Sequence, residues 1–212
     1  MDVLVVGGHG KVAMRLMKLL ADRGDSPRGI IRNTDQASDL EAIGALPIAL
    51  DIEAKEIDDA VAGADAVVFA AGAGAGSGPA RKQTVDLGGA VKLIDAAQSH
   101  GISRYVMVSA IGANHPERWS EQMRPYYEAK AAADAALIES GLDYTIVRPG
   151  RLTDDPGTGK VEAAESLDRY GEVTRDDVAA VIAEVFGADN TIGKGFDLLN
   201  GETSVKETIA GL

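Results

Sequence analysis

The first thirteen residues constrain the fold more than any other part of the chain. Residues 3–6 are four consecutive apolar residues, three of them valine, which predicts a strand buried on both faces. Gly7, Gly8 and Gly10 follow, and an apolar stripe with helical spacing then begins, formed by Val12, Leu16, Leu19 and Leu20. The pattern therefore predicts a strand, a glycine bend and a helix in direct succession.

Such a bend aims the unpaired N–H groups and the positive dipole end of the helix at its occupant, and an anion fits best. Gly7 would permit the tight turn, Gly10 would let a phosphate approach the backbone, and Ala13 would let the helix pack closely on the strand. The spacing Gly-x-x-Gly-x-x-Ala departs from the usual Gly-x-Gly-x-x-Gly, and glycines also close ordinary turns. At the start of an α/β pattern, the bend still predicts a diphosphate site, with cofactor-binding residues Gly7, Gly8, His9, Gly10, Lys11 and Val12.

Strands and helices alternate along nearly the whole chain. Further strands are predicted at residues 29–32, 47–51, 66–70, 105–108, 144–147 and 196–199, and a loop at 153–160. Helical spacing lies between the strands, and the last helix follows a capping box at residues 174–177. Short apolar strands joined by helices predict an α/β fold with a doubly wound parallel sheet. We expect one domain over residues 1–212, with a small C-terminal portion on the substrate side.

The composition excludes several classes of function. Acidic residues outnumber basic ones, 33 to 21, and the net charge of -12 disfavours nucleic acid and anionic membranes as partners. The chain has no cysteine, which excludes disulfides and thiolate chemistry, and its three histidines are scattered, so we expect no metal site. It also has no apolar stretch of membrane-spanning length and no export leader, so the expected location is cytoplasmic.

Ligands of doubly wound sheets bind beyond the carboxyl ends of the strands. The residues that follow the predicted strands are therefore candidates for a site: Arg32, Asp51, Ile52, Ala70, Ala71, Gly72, Ser109 and Pro149. The small-residue segment 71–79 is either a flexible linker or a backbone that a ligand approaches closely.

Arg32 bears on the choice between NADP and NAD, and Asp51 on the binding of the adenine. NAD-specific folds carry an acidic residue after the second strand, whereas Arg32 would pair with the 2′-phosphate of NADP through its planar fork. The alternative for Arg32 is a solvated surface side chain. Asp51 would accept a hydrogen bond from the adenine amino group, or it would cap a helix. We expect NADP, with NAD as the other option.

Tyr126 and Lys130 are spaced i and i+4, so they share one face of a predicted helix, which Ala133 and Leu137 extend. A tyrosine needs a lowered pKa to act as an acid or base near neutral pH, and a nearby ammonium favours the phenolate. The alternative is an ordinary amphipathic helix with a surface lysine.

Three motifs together resemble the short-chain dehydrogenase/reductase superfamily. They are the glycine bend, Tyr126-x-x-x-Lys130, and Arg148-Pro149-Gly150 after the sixth strand. More narrowly, the sequence is similar to small atypical members described as NAD(P)H-binding proteins, sugar epimerases or NADH-flavin reductases. The resemblance covers nearly the whole chain, and it implies a Rossmann-type fold.

The resemblance also implies residue roles. Tyr126 exchanges a proton with the substrate oxygen, while Lys130 holds the nicotinamide ribose and lowers the pKa of Tyr126. A serine or threonine after the fifth strand hydrogen-bonds the substrate. Many relatives have two hydroxyl residues here and use the second, whereas this chain has Ser109-Ala110. Either Ser109 substitutes, or catalysis is altered or absent.

The first hypothesis is therefore an NADP(H)-dependent oxidoreductase acting on a small carbonyl or alcohol substrate. Little chain follows the sixth strand, so a small or flat substrate is favoured over a nucleotide sugar, with Arg118, Trp119 and Arg151 near the expected pocket mouth. An NAD(P)-dependent epimerase or dehydratase and a non-catalytic NADP(H) sensor are the alternatives. Related enzymes often pair through the helix of Tyr126, so an oligomer is allowed.

Overall fold

The computed structural model describes residues 1–74 and 76–212. Within these residues the strands form one nine-stranded sheet and one two-stranded sheet. In chain order the strands are β1 (Asp2–Val6), β2 (Ser26–Ile31), β3 (Leu46–Ala49), β4 (Ala66–Phe69), β5 (Arg104–Val108), β6 (Asp143–Pro149), β7 (Arg151–Thr153), β8 (Lys160–Ala164), β9 (Glu172–Thr174), β10 (Lys194–Asn200) and β11 (Thr203–Ser204).

Helices alternate with these strands. They are α1 (Lys11–Asp22), α2 (Ala37–Ala42), α3 (Asp58–Val61), α4 (Pro79–Arg81), α5 (Gly89–Ser99), α6 (Arg124–Glu139), α7 (Arg175–Val185) and α8 (Val205–Ala210). A π-helix, Lys82–Gly88, joins α4 to α5. None of the helices in residues 1–74 and 76–212 has the length and apolar character that a membrane span requires.

The large sheet has the order β11-β8-β10-β6-β5-β4-β1-β2-β3. From β3 to β10 all neighbouring strands are parallel, which confirms the predicted doubly wound, Rossmann-type fold. The order reverses at β1, which has β2 on one side and β4 on the other. The crevice at the carboxyl ends of β1 and β4 is therefore where this topology places a ligand.

One edge of the sheet differs from the prediction. Strand β8 runs antiparallel to β10, and β11 runs antiparallel to β8. The predicted loop at 153–160 is also too long, because its first residue belongs to β7 and its last to β8. Only Val161 is fully buried in β8, so this strand has no continuous apolar run that the sequence could have shown.

The sheet is covered on both faces, as β1 shows most clearly. Val3 and Val5 point into a core with α1, α2, α7 and α8, while Leu4 and Val6 point into a second core with α3, α5 and α6. None of the four side chains is exposed, as predicted for a central parallel strand.

Two predicted local features are the small-residue segment after β4 and the cap of the helix that begins after Thr174. After β4, residues 71–74 and 76–78 belong to no helix or strand, and α4 begins at Pro79; Ala75 of the predicted segment lies outside the described residues. At the start of α7, the Thr174 hydroxyl accepts the N–H of Asp177 at 3.0 Å, which confirms one half of the predicted capping box. The other half is not formed, because the Thr174 N–H donates to Asn200 Oδ1 at 3.2 Å. The Asp177 carboxylate in turn accepts the N–H of Thr158 at 3.0 Å and of Gly159 at 2.8 Å, and so fixes the loop before β8.

Gly150 joins β6 to β7 and packs closely on Gly171 and Leu199, and its replacement tests this packing. A Cβ at Gly150 would lie 2.4 Å from both the Gly171 carbonyl oxygen and Leu199 Cδ2. We expect Gly150→Ala to lower the free energy of unfolding by about 1–3 kcal/mol, measured by urea denaturation. Gly187→Ala is the matched control, because its Cβ would meet only the Glu184 carbonyl oxygen at 3.8 Å. Equal stability of the two variants would contradict the prediction.

Candidate functional site

The bend between β1 and α1 is built from backbone in close contact. Gly7 has φ +85°, and a Cβ on it would lie 2.7 Å from Ala71 Cα; a Cβ on Gly8 would lie 2.9 Å from Gly29 Cα. The Gly10 N–H donates to the Gly7 carbonyl oxygen at 2.8 Å and closes the turn. Position 7 thus requires glycine for two reasons: its φ is positive, and there is no space for a Cβ atom.

The start of α1 is electrostatically suited to an anion. Its N-cap, Gly10, supplies no side-chain hydrogen bond, and its first turn contains no acidic residue. The first backbone N–H groups of a helix have no partner within it, so here they are available to a ligand. Lys11, the first residue of the helix, adds a positive charge, with its Nζ 2.6 Å from Asp154 Oδ2.

A cleft of about 400 Å³ runs from this bend across the carboxyl ends of β2, β3 and β4. Nine of the predicted cofactor-binding residues line it, namely Gly7, His9, Gly10, Arg32, Asp51, Ile52, Ala70, Ala71 and Gly72. The other predicted residues, Gly8, Lys11, Val12, Lys130 and Pro149, are not among its lining. Gly8 instead packs against β2, and Pro149 is buried, with its carbonyl oxygen accepting the Ile111 N–H at 3.0 Å.

The sequence analysis missed part of the cleft wall. Asn33, Gln36, Glu53 and Arg81 also line the cleft. Asn33 and Glu53 directly follow predicted residues, so extending each candidate by one position would have found them. Arg81 lies far from any strand end in the sequence, and only the helical segment after β4 brings it to the cleft.

Charges at the far end of the cleft are partly paired. Glu53 accepts hydrogen bonds from Thr84 Oγ1 at 2.6 Å and from Arg81 Nη2 at 2.9 Å, and these bonds lower the pKa of the Glu53 carboxyl. Arg32 is exposed and lies close enough to contribute to that lowering. Two arginines therefore face this end of the cleft, with one carboxylate between them.

Asp51 caps no helix, since α3 begins at Asp58, and its predicted bond to the adenine amino group stays a prediction. Its Oδ1 accepts the N–H of Glu53 at 3.0 Å, and its carbonyl oxygen accepts the N–H groups of Ala54 and Lys55. It thus closes the turn after β3 and also lines the cleft. Within the described residues, its Oδ2 has no hydrogen bond from the protein.

Lys130 is buried at the carboxyl end of β5. Only 4% of the residue is exposed, and its Nζ lies 3.2 Å from the Val108 carbonyl oxygen and 3.3 Å from Asp86 Oδ1. It also stands 6.0 Å from the centroid of the Phe69 ring, at the end of β4. The alternative of a surface lysine is therefore wrong.

Tyr126 lies on the same helix, α6, and is partly buried. The ammonium of Lys82 lies 5.1 Å from its ring centroid, and the Tyr127 ring meets it edge-on at 5.4 Å. Burial raises the pKa of the Tyr126 phenol, and the negative charge of Asp86 raises it further. The prediction that Lys130 lowers this pKa is therefore wrong. The Lys130 ammonium is paired with Asp86, and the pKa of Tyr126 is raised.

Ser109 follows β5 directly, as predicted, and only 4% of the residue is exposed. Its N–H donates to the Val147 carbonyl oxygen at 2.8 Å. Its hydroxyl lies close enough to Asp134 to lower that carboxyl's pKa, but outside good hydrogen-bond geometry. The dominant effect on Asp134 is burial, which raises its pKa, while Arg148 opposes this through a 2.9 Å ion pair.

The other residues expected at the pocket mouth have local partners. Arg118 pairs with Asp168 at 3.3 Å, and Arg151 pairs with Glu172. Trp119 donates from Nε1 to the Gly112 carbonyl oxygen at 2.8 Å and stacks on Tyr127, with ring centroids 5.8 Å apart. Trp119 therefore adds an aromatic surface beside Tyr126, while the two arginines form surface ion pairs.

A family model described as NAD(P)H-binding matches residues 7–189. The chain belongs to the NAD(P)H-binding family. It is 43% identical to the uncharacterized sugar epimerase YhfK of Bacillus subtilis, with 100% of both chains covered. Among solved structures, it is 42% identical to a Bacillus halodurans protein assigned as an NAD-dependent epimerase/dehydratase, with TM-score 0.96 and 100% of both chains covered. It is 30% identical to the oxidoreductase ylbE of Lactococcus lactis, with TM-score 0.87, covering 100% of this chain and 96% of that one.

These relatives agree with the predicted family and with the predicted class of NAD(P)-dependent oxidoreductase or epimerase. The geometry of this NAD(P)H-binding protein also fits the cofactor. Its bend has no room for side chains at Gly7 and Gly8, its helix begins without a competing acidic group, and its cleft continues along the strand ends. Across residues 1–74 and 76–212, no group of three or more His, Asp or Glu side chains is arranged to hold a metal ion.

Replacement of Gly7 tests whether this bend holds the cofactor. In Gly7→Ala the new Cβ would meet Ala71 at 2.7 Å, at a φ of +85° that alanine rarely adopts. We expect the affinity for NAD(P)H to fall at least about tenfold by calorimetry, because the bend must shift and misalign its N–H groups. Gly24→Ala has a similar φ, +90°, but nothing within 4 Å of the new Cβ. It should cost about 1 kcal/mol of stability and leave binding intact; equal affinities of the two variants would contradict the assignment.

Proposed function

We propose that this protein is an NADP(H)-dependent oxidoreductase of the atypical short-chain dehydrogenase/reductase type, acting on a small, flat carbonyl or alcohol substrate. The observation that carries the proposal is the place of Lys130. Its Nζ contacts the Val108 carbonyl oxygen at the end of β5, and the neighbouring strand β4 leads into Ala70–Gly72, which line the cleft. In our proposal, the helix that bears Tyr126 is thereby held beside the strand ends whose extensions line the cleft.

A bound nicotinamide cofactor supplies hydride exchange with a substrate carbon. In our proposal, the Tyr126 phenol gives its proton to the substrate oxygen as that carbon receives hydride, and solvent restores the proton. Lys130 would hold the cofactor ribose from its buried position on the same helix face. Ser109, whose hydroxyl has no hydrogen bond within the described residues, would hydrogen-bond the substrate oxygen, while Tyr126 handles the proton.

The preference for NADP rests on Arg32. It directly follows β2, lines the cleft and is exposed, so its guanidinium is accessible to a 2′-phosphate. Arg81 lies at the same end of the cleft and pairs with Glu53, so that Arg32 is left as the arginine accessible to the phosphate.

The aromatic groups beside Tyr126 support a flat substrate. Trp119 and Tyr127 stack with an interplanar angle of 12°, and the guanidinium of Arg124 lies 5.9 Å from the Trp119 ring centroid. Together with Lys82, these groups offer planar surface and positive charge next to the phenol. A planar carbonyl compound, such as a quinone or a flavin, matches that chemistry.

The name of the relative YhfK favours a second candidate, an NAD(P)-dependent epimerase. An epimerase returns the hydride to the same substrate and therefore keeps its cofactor. Cofactor that stays bound through purification would favour this candidate, whereas free exchange of NADPH for NADP⁺ favours the oxidoreductase.

Arg32→Ala tests the cofactor preference. Loss of charge-assisted hydrogen bonds to a 2′-phosphate is expected to weaken NADPH binding about 10- to 100-fold. The affinity for NADH, which lacks that phosphate, should change less than about twofold, and both are measured by calorimetry. Arg23→Ala, which removes a surface arginine paired with Asp25 away from the cleft, should leave both affinities unchanged. Equal weakening of NADH and NADPH by Arg32→Ala would refute the NADP assignment.

Tyr126→Phe tests the proton donor. NADPH oxidation with carbonyl, quinone and flavin substrates should fall about 10²- to 10⁴-fold in kcat while NADPH binding persists. Tyr144→Phe, a change in β6, is the control and should retain turnover. Full activity of Tyr126→Phe would reject Tyr126 as the donor. Binding of NADPH by the wild type without turnover of any substrate would instead favour a non-catalytic sensor.

A further inference from the structure

Two basic side chains beside Tyr126 are not neutralised by the protein. Most lysines and arginines of this chain, whose net charge is -12, form an ion pair with a carboxylate. Within residues 1–74 and 76–212, Lys82 and Arg124 form neither an ion pair nor a side-chain hydrogen bond. Arg124 is not paired with Glu128, one turn further along α6, and lies against the Trp119 ring instead. The donors of both side chains are therefore available to a ligand.

Both cations contact one group of rings, Tyr126, Tyr127 and Trp119, which we call the aromatic cluster. Lys82 Nζ lies 5.1 Å from the centroid of the Tyr126 ring, and the Tyr126 and Tyr127 centroids are 5.4 Å apart. Tyr127 stacks on Trp119 at 5.8 Å, and the guanidinium of Arg124 lies 5.9 Å from the Trp119 centroid. None of the three rings is fully buried. The cluster therefore presents planar surface, with a cation at each end of this series of contacts.

The carboxylates near Tyr126 do not cancel these two cations. Asp86 and Asp134 are the carboxylates whose charge acts on the phenol, and both are buried. Asp86 lies 3.3 Å from Lys130 Nζ, and Asp134 forms a 2.9 Å ion pair with Arg148. Their charges are thus balanced inside the protein, whereas the two cations at the aromatic cluster reach solvent.

An anion is the ligand that this arrangement favours. A cation–π contact at an exposed site is weaker than a charge-assisted hydrogen bond, so each cation gains by binding a carboxylate or a phosphate. The net charge of -12 repels anions in general, so an anionic substrate needs local cations. Because Lys82 stands against the Tyr126 ring, an acid group bound to it lies within the span of a small molecule that also meets the phenol.

We propose that the substrate of this site carries an acidic group, a carboxylate or a phosphate, on its planar ring system, and that Lys82, assisted by Arg124, binds this group and selects for it. The proposal rests on the proposed function, in which the substrate binds against Tyr126. Lys82 directly follows Arg81, which lines the cofactor cleft, so the segment that borders the cleft also supplies a cation for the substrate. Lys82 and Arg124 are thus specificity-determining residues and take no part in proton transfer.

Three flavins that share one isoalloxazine ring test the proposal by binding alone. Riboflavin is uncharged, flavin mononucleotide adds a phosphate, and 10-carboxymethylflavin carries a carboxylate close to the ring. Affinities are measured by quenching of flavin fluorescence with saturating NADP⁺ present, which keeps the flavins out of the cofactor cleft. We expect at least one anionic flavin to bind about 5- to 30-fold more tightly than riboflavin, and the one that does identifies the acid as phosphate or carboxylate. Absence of this preference for both anionic flavins overturns the proposal.

Replacement of Lys82 assigns the preference to its ammonium. The readout is the affinity for the preferred anionic flavin divided by that for riboflavin, because this ratio cancels changes that affect the shared ring. We expect the ratio to fall at least about fivefold in Lys82→Gln and to persist in Lys82→Arg, which keeps the charge. Arg124→Gln should lower it about two- to threefold, since its charge acts from Trp119, further from the phenol. A ratio that is unchanged in Lys82→Gln overturns the proposal.

Lys206→Gln is the matched control. Lys206 is an exposed lysine of α8, which packs on the opposite face of the sheet from α6. The substitution removes the same charge, and the affinity ratio should equal that of the wild type. A fall as large as in Lys82→Gln would show an effect of net charge alone and would overturn the assignment to Lys82.

Failure of this proposal is distinguishable from failure of the proposed function. The flavin titrations need no turnover, so their outcome does not depend on the Tyr126→Phe test. Turnover of an uncharged quinone, in turn, tests the proposed function with a substrate that has no acid group for Lys82 to bind.

Discussion

The close approach of backbone to backbone at Gly7 and Ala71 is the constraint on which the site depends. Strand β1 stands where the strand order reverses, so the bend after it and the segment after β4 meet at one point of the sheet edge. A side chain at Gly7 would fill that point. Because neither residue projects a side chain there, the floor of the cleft is backbone, and the start of α1 can face a ligand directly.

From this floor, one path of contacts leads to Lys130 on the helix that carries Tyr126. Ala73 hydrogen-bonds Asp86, Asp86 pairs with Lys130, and Lys130 contacts the last residue of β5. The segment after β4, the π-helix and α6 are thereby held in one arrangement beside the cleft. Buried charges do this at a desolvation cost of several kcal/mol for each ion, so such pairs are kept for position and chemistry more than for stability.

The same principle explains Arg148, which the sequence showed only as part of a motif. Its guanidinium is buried, pairs with Asp134 on α6, and packs over Gly195, where a Cβ would lie 2.9 Å from the guanidinium nitrogens. Arg148 therefore ties α6 to the centre of the sheet, below the residues that face the cleft. It thereby holds the helix that carries Tyr126 and Lys130, and it is not among the residues that line the cleft.

The sequence by itself determined the features that depend on neighbours along the chain. The bend at Gly7, the buried alternation of β1, the cap of α7 and the shared face of Tyr126 and Lys130 all follow from local spacing. Only the tertiary structure decided the antiparallel edge at β8, the contact of Asp86 with Lys130, and the turning of the Ser109 hydroxyl towards Asp134. These features join residues far apart in the sequence, and the burial that sets their energies exists only once the sheet and both helical layers have assembled. For that reason the spacing placed Tyr126 and Lys130 on one helix but gave the wrong direction for the pKa of Tyr126.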